Sequence, residues 1–394
     1  FKVRWRDYLV NIMQSFDFKP SIRVVFGEGK IELLGDLAKD LNGSSALLVS
    51  DPEGRRAGIA DKAIDSLKKA KLDVVIFDDV FPNPTDEHVQ HGTAFAKQYK
   101  DLNLIVGLGG GSTLDCAKGI NFLLTNGGVM QDYWGFGKAT KPMLPSIGIP
   151  TTAGTGSEAQ SYALIAQNGT HLKMACGDEK ARFRTVILDP NLTETVPEKV
   201  GAATGIDAIS HAVESYVTTK RNYVSQMLAK KAWYLLSKNF EFSLRKGSTT
   251  KSRGEMLLGA HFAGMAIESS MLGAAHACAN PLTSRYGITH GVAVGLMLPH
   301  VIAFNSHVVE RLYRELLIAS GSHILKQDEA GGNLVIQIKK LKTAANLPDK
   351  LRDCQIDRQD LPQLAKEASS QWTGKFNPRP ISETKLLKLY EQAY

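Results

Sequence analysis

Asp207 and His211 stand four residues apart in GIDAISHAVE, a helix-like stretch, so both side chains leave one face and can meet a single ion. His276 and His290 follow in AAHACANPLTSRYGITHG. One carboxylate and three imidazoles form a hard-to-borderline donor set suited to Fe2+ or Zn2+, and open to Mn2+ and Co2+. His91, His171, His261 and His300 have no such company and read as ordinary hydrogen-bonded histidines. Glu268, within AGMAIESS, reads as a structural carboxylate rather than a base, and Cys278 as a small buried thiol.

Three features of the first half suit a nucleotide. LIVGLGGGSTLDCAKGI sets Gly109, Gly110 and Gly111 after an apolar strand and before a helix opening at Ser112, with Asp115 three residues on in a capping-box-like arrangement. Backbone without Cβ atoms can approach a pyrophosphate closely, and the helix start favours its charge. IPTTAGTGSE offers Thr151, Thr152 and Thr155 beside glycines after another strand, and two such loops at strand carboxyl ends mark the ligand crevice of an open α/β sheet. Asp51, ending ALLVS, can either cap its own turn or accept from a ribose 2′-OH and repel a 2′-phosphate.

These residues need elements to hold them. Short β-type runs at Ala46–Ser50, Asp73–Phe77, Leu104–Leu108 and Ser146–Pro150 alternate with helix-length segments, which predicts parallel crossovers and a doubly wound sheet. From about Val196 the pattern becomes long segments rich in Ala, Leu, Met and Lys: Lys199–Thr218, Tyr223–Asn239 and Arg253–Ala279. A boundary is expected within Asp189–Pro197, with Thr193 or Thr195 as the helix cap. Residues 1–195 are thus expected to form a doubly wound α/β domain suited to a nucleotide, and residues 196–394 an all-helical domain carrying the candidate metal donors.

The composition is that of a globular protein long enough for two domains. Its 47 Lys and Arg against 40 Asp and Glu leave a net charge of +7 that is spread along the chain, which suits an anionic small ligand and gives no footprint for nucleic acid. Cys116, Cys176, Cys278 and Cys354 lie far apart, in no disulfide-like or zinc-finger spacing, as expected in a reducing compartment. No uninterrupted apolar run of roughly 20 residues and no signal-peptide core is present, so a cytoplasmic protein without a membrane partner is expected.

The stretches Val186–Glu214 and His276–Gly291 resemble the two signatures of the iron-containing (group III) alcohol dehydrogenases, and GGGSTLDCAK and IPTTAGTGSE resemble that family's cofactor loops. The resemblance covers nearly the whole chain in order. It implies a Rossmann-like parallel-sheet domain followed by a helical domain, the dehydroquinate synthase-like plan, with cofactor and metal between them. It carries metal-ligand roles to Asp207, His211, His276 and His290, and cofactor roles to Asp51, Gly109, Gly110, Gly111, Ser112, Thr151, Thr152 and Thr155. Asn83, Lys173 and Leu192 match looser cofactor contacts, and Asp51 favours NAD over NADP. A homodimer or higher homo-oligomer is implied, with residues 1–18, including Trp5, Tyr8 and Phe16, as a candidate edge.

One position departs from the family. Many members carry a histidine four residues after the third ligand, near substrate and nicotinamide; here it is Asn280, which hydrogen-bonds but exchanges no proton near neutral pH. The implied activity is reversible hydride transfer between nicotinamide and a small alcohol, aldehyde or ketone, with the metal as Lewis acid. The alternatives are a hydroxyacid–oxoacid transhydrogenase or other relative on the scaffold, and a catalytically weak metal- and nucleotide-binding protein.

Overall fold

The computed structural model describes residues 15–169, 172–322 and 329–394. Trp5, Tyr8 and His171 lie outside them. All strands among the described residues come before residue 189: β1 (Arg23–Phe26), β2 (Ser45–Val49), β3 (Asp73–Phe77), β4 (Leu104–Gly109), β5 (Gly135–Phe136), β6 (Ser146–Pro150), β7 (Tyr162–Ala166), β8 (Lys173–Gly177) and β9 (Thr185–Leu188). The four strands expected from sequence coincide with β2, β3, β4 and β6 to within one residue. Strands β1 and β9 have four residues each, too few to stand out as a periodic run.

Six strands pair in parallel in the order β1-β9-β6-β4-β2-β3. The other three form a small sheet in which β8 runs parallel to β5 and antiparallel to β7. Helices α1 (Leu34–Asp40), α2 (Pro52–Arg56), α3 (Ile59–Lys69), α4 (Asp86–Ala96) and α5 (Gly111–Asn126) supply the crossovers. Alternation along the strands sorts their side chains between two layers: Leu47, Val49 and Ile105 pack with Val89 of α4 and Ile120 of α5, whereas Ala46, Leu48, Leu104 and Val106 pack with Leu37 of α1 and Ala63 and Leu67 of α3. With both faces covered, every residue of β4 is buried.

The strand order reverses between β2 and β4: β3 continues outward from β2, and β6 and β9 outward from β4. Connections leaving adjacent strands in opposite directions open a crevice at their carboxyl ends. Asp51 follows β2, and Gly110 follows β4.

From residue 198 the described chain is helical: α6 (Glu198–Val217), α7 (Tyr223–Leu244), α8 (Thr250–Glu268), α9 (Ala274–Tyr286), α10 (His290–Ala319), α11 (Ala330–Ala344), α12 (Leu361–Ser370) and α13 (Glu383–Ala393). The change of character falls in the Asp189–Pro197 stretch, but neither threonine there caps α6. The capping residue is Pro197, with no side-chain bond, and the Thr193 hydroxyl donates to Pro190 O instead. The single helix expected over Arg253–Ala279 is two, α8 and α9, parted at Ser269–Gly273. Composition did not reveal that break, because what starts α9 is tertiary: Ala274 N–H and Ala275 N–H donate to the side chains of Asn377 and Glu214.

Helix α10 is long and apolar enough by composition to cross a membrane, yet 61% of its most apolar window is buried within the protein. It packs with α6, α7 and α9 in one core whose largest buried side chain, Trp233, donates from Nε1 to Leu316 O at 2.7 Å.

A buried polar seam ties the sheet to the helices. Lys118 of α5 is 2% exposed, and its Nζ donates to Ser157 O (2.8 Å), Ser157 Oγ (2.8 Å) and Tyr162 O (2.6 Å), with Asp115 Oδ1 at 3.4 Å. Burial pushes the Asp115 carboxyl up, opposed by the Lys118 charge, and burial pushes the Lys118 ammonium down, opposed by Asp115. Beyond this seam, Glu158 meets His261 of α8 at 3.0 Å, and Glu268 accepts from Arg182 and from Ser161 N. Lys118→Met should strand these acceptors and the Asp115 charge, destabilising the protein by about 3–5 kcal/mol as read from the urea midpoint.

Candidate functional site

Asp207 and His211 project from one face of α6, His276 lies in the first turn of α9, and His290 begins α10. All three imidazole Nε2 atoms surround one atom, Asp207 Oδ1: His211 at 3.4 Å, His276 at 3.5 Å and His290 at 4.0 Å. The His211 and His276 rings stack at 4.9 Å between centroids, and the His276 and His290 rings are 5.4 Å apart. Ligand atoms of Asp207, His276 and His290 all lie within 4.8 Å of one another.

Asp207 Oδ1 and His276 Nε2 are buried without a hydrogen-bond partner. Unpaired buried polar atoms are costly, and here they face each other. In a tetrahedron with bonds of about 2.0–2.1 Å, ligand atoms lie roughly 3.3 Å apart, so the shorter separations suit one divalent ion. Burial alone would raise the Asp207 carboxyl, but the imidazoles outweigh it and hold the group well below the usual carboxylate range. Burial also lowers His211, to about 4, helped by His276. His290 is lowered by burial and by the Lys173 charge. His276 alone rises, to about 9: burial opposes protonation, but Asp207 and Glu214 on its two nitrogens prevail.

Close helix contact makes this convergence possible. Gly291, directly after His290, abuts α6 so tightly that a Cβ there would lie 1.8 Å from Ala203 O and 3.2 Å from Asp207 Cβ. No side chain fits between the helices at that point.

At the sheet end, Gly109 (φ +156°) would drive a Cβ into Asp51 and Thr113, and Gly111 would drive one into Thr155. Gly110 faces Thr152, and Thr151 N donates to Gly109 O at 3.0 Å. The sequence arrangement of Ser112 and Asp115 as a capping box is not what forms. Gly110 starts α5 with no side-chain cap, and Asp115 instead accepts from Ser157 Oγ in the buried seam. The first N–H groups of α5 are therefore left for a ligand, as a phosphate cradle needs.

Asp51 caps α2 through Gly54 N (2.7 Å) and also accepts from Thr113 Oγ1 (2.9 Å). Asn83, in left-handed backbone (φ 54°), donates from N to Ser112 Oγ at 3.2 Å, so its loop joins the cradle. Lys173 lies on β8, its ammonium lowered by burial and held up by the charges of Asp115 and Asp207. Leu192 is 1% exposed and packed in the core, so its side chain is taken up by packing. Asn280, one turn beyond His276, donates from Nδ2 to Gln371 Oε1 at 2.9 Å.

Sequence reasoning gave no site role to Lys118, Glu158, His261 or Glu214. Lys118 and the Glu158–His261 pair carry no local signal, because their partners are distant in sequence. Glu214 carried one: positions 207, 211 and 214 follow the i, i+4, i+7 spacing of a single helix face. It contacts His276 Nδ1 at 2.5 Å.

Residues 20–190 match the family profile described as iron-containing alcohol dehydrogenase, and residues 201–394 match the C-terminal profile of the Fe-containing alcohol dehydrogenase family. The chain is 34% identical to a 1,3-propanediol dehydrogenase of Citrobacter freundii over 99% of both chains. It is 29% identical to an NAD-dependent methanol dehydrogenase of Bacillus methanolicus, over 97% of this chain and all of that one. The crystal structure of a 1,3-propanediol oxidoreductase superposes with a TM-score of 0.93 at 32% identity, covering 97% of this chain and all of that one.

Gly291→Ala should push α10 off α6 and part His290 from Asp207. The purified variant is expected to retain at least about tenfold less divalent metal than the wild type by elemental analysis, since misplaced ligands cost affinity of that order.

Proposed function

The chain belongs to the iron-containing alcohol dehydrogenase family, and from that premise we propose that it interconverts small alcohols with aldehydes or ketones, using a divalent metal and NAD. The observation that carries this reading is the meeting of Asp207, His211, His276 and His290 around one buried, unpartnered carboxylate oxygen. An Fe2+ or Zn2+ ion held by these four side chains supplies positive charge toward a substrate oxygen, and NAD supplies the hydride acceptor or donor.

The chain's own residues do the rest. Gly109, Gly110, Gly111 and Ser112 cradle the pyrophosphate at the start of α5, with Asn83 buttressing Ser112. Thr151, Thr152 and Thr155 lie against that cradle from the next strand's end, on the nicotinamide side. Leu192 contributes at most backbone, and Lys173 brings an ammonium whose charge is felt by Asp115 and Asp207. Asn280 hydrogen-bonds to Gln371 and exchanges no proton near neutral pH, so it would position rather than relay.

The preference for NAD rests on Asp51, whose oxygens keep lone pairs beyond their two bonds and whose charge repels a 2′-phosphate. The relative from Bacillus methanolicus is itself described as NAD-dependent. A homo-oligomer is supported by edge strand β1, where Val24 and Phe26 stay 40% and 43% exposed. A reducing, cytoplasmic setting is supported by four free cysteines.

Metal-stripped protein reconstituted with Fe2+ or Zn2+ under anaerobic conditions is expected to oxidise NADH with a panel of small aldehydes and ketones, and His276→Ala to lose both metal and turnover while still binding NAD. Full activity in His276→Ala contradicts the metal assignment, and turnover between two organic acids without net NADH change points to a transhydrogenase. Asp51→Gly should shift the NAD/NADP ratio of kcat/KM toward NADP by about tenfold or more, the scale of one charge–charge contact, whereas a wild type that already prefers NADPH contradicts the role given to Asp51.

A further inference from the structure

We propose that Glu214 is the positioning residue of the metal centre, its carboxylate fixing the tautomer and ring plane of His276 so that Nε2 is aimed at Asp207 Oδ1. This rests on the reading that Asp207, His211, His276 and His290 hold a divalent ion.

Glu214 is 4% exposed and sits on the same face of α6 as Asp207 and His211. Its two oxygens do different work. Oε2 contacts His276 Nδ1 at 2.5 Å, and Oε1 accepts from Ala275 N at 2.7 Å. With an ion on Nε2, the ring keeps its one hydrogen on Nδ1, where Glu214 Oε2 is placed to accept it. That Nε2 is the buried, unpartnered atom 3.5 Å from Asp207 Oδ1. A histidine held through one nitrogen and offering the other to an ion is a common device for orienting a ligand.

Holding Ala275 N–H with the same carboxylate ties the ring to its own backbone. Ala275 lies in the first turn of α9, where N–H groups have no partner within the helix and the dipole favours a negative charge. Asn377 completes the attachment: its Oδ1 accepts from Ala274 N and Asn305 Nδ2, and its Nδ2 donates to Asn305 Oδ1 and Arg379 O. Gly273 leaves room for both, since a Cβ there would lie 2.9 Å from Glu214 Oε1 and 3.0 Å from Asn377 Oδ1. The described residues provide Glu214 with no Lys or Arg partner within ion-pair distance, so its buried carboxyl oxygens rely on the Ala275 N–H and on His276.

The test uses stripped protein loaded with Co2+, following the chelator-competition affinity and the visible d–d spectrum, with far-UV circular dichroism and NAD binding as controls. Glu214→Gln can serve one of the two donors but meets the other with its own NH2. It is expected to bind Co2+ about 10–100-fold more weakly with altered d–d bands, while circular dichroism and NAD binding match the wild type. Asn377→Ala removes the neighbouring cap and leaves the Glu214–His276 contact, so it should lower the melting temperature without moving the bands.

A Glu214→Gln protein with wild-type affinity and spectrum overturns the proposal, as does an Asn377→Ala protein whose bands shift equally, because that makes Glu214 a cap and nothing more. Should Glu214→Gln not fold, Glu214→Asp decides: its shorter reach should weaken Co2+ binding, and wild-type binding overturns the proposal. Wild-type protein that takes up no Co2+ removes the metal reading itself, and this inference with it.

Discussion

Everything in the helical half is arranged around one buried carboxylate oxygen. Asp207 Oδ1 is surrounded by three imidazoles carried on three different helices, and it has no hydrogen-bond partner. Keeping a charge there is tolerable only where positive charge converges on it. The packing brings the donors together: α10 starts at His290, α9 starts two residues before His276, and Gly291 lets α10 touch the backbone of α6. Few other positions in the core are so constrained, because elsewhere the requirement is volume and here it is the direction of individual lone pairs.

The sheet imposes a second constraint, which meets the first at the cleft. Parallel strands with a reversal of order between β2 and β4 leave their carboxyl ends open, and the loops carrying Asp51, Gly109–Ser112 and Thr151–Thr155 all emerge there. These loops are steadied from behind. Lys118 binds the backbone of Ser157 and Tyr162, and Glu158 and Glu268 hold the following segment against α8 and Arg182. The crevice loops are thus tied to α8 through buried hydrogen bonds, as a reaction requiring fixed donor and acceptor geometry needs.

Short-range information was enough for much of this. Spacing four apart on a helix-like run singled out Asp207 and His211, which the structure sets on one helix face, and Gly-rich turns after apolar runs singled out two loops that the structure places at strand carboxyl ends. Misreadings occurred where a local pattern was resolved by a distant partner. Asp115 looks like a capping residue until Ser157 and Lys118 claim it, and Arg253–Ala279 looks continuous until Glu214 and Asn377 take up the N–H groups that begin α9.

The sequence by itself determined the candidate donors, four strands of the main sheet with the glycine-rich turns after them, and the place where the chain turns from one architecture to the other, because residue type, period and glycine placement are local properties. Only the tertiary structure decided that His276 and His290, carried on α9 and α10, come within 4 Å of the carboxylate on α6. It alone decided that Glu214 faces the far side of His276, and that Asn280 bonds to Gln371, 91 residues away. Those outcomes depend on helix contacts set by packing between segments far apart in the chain, and no periodicity within either segment encodes the distance between them.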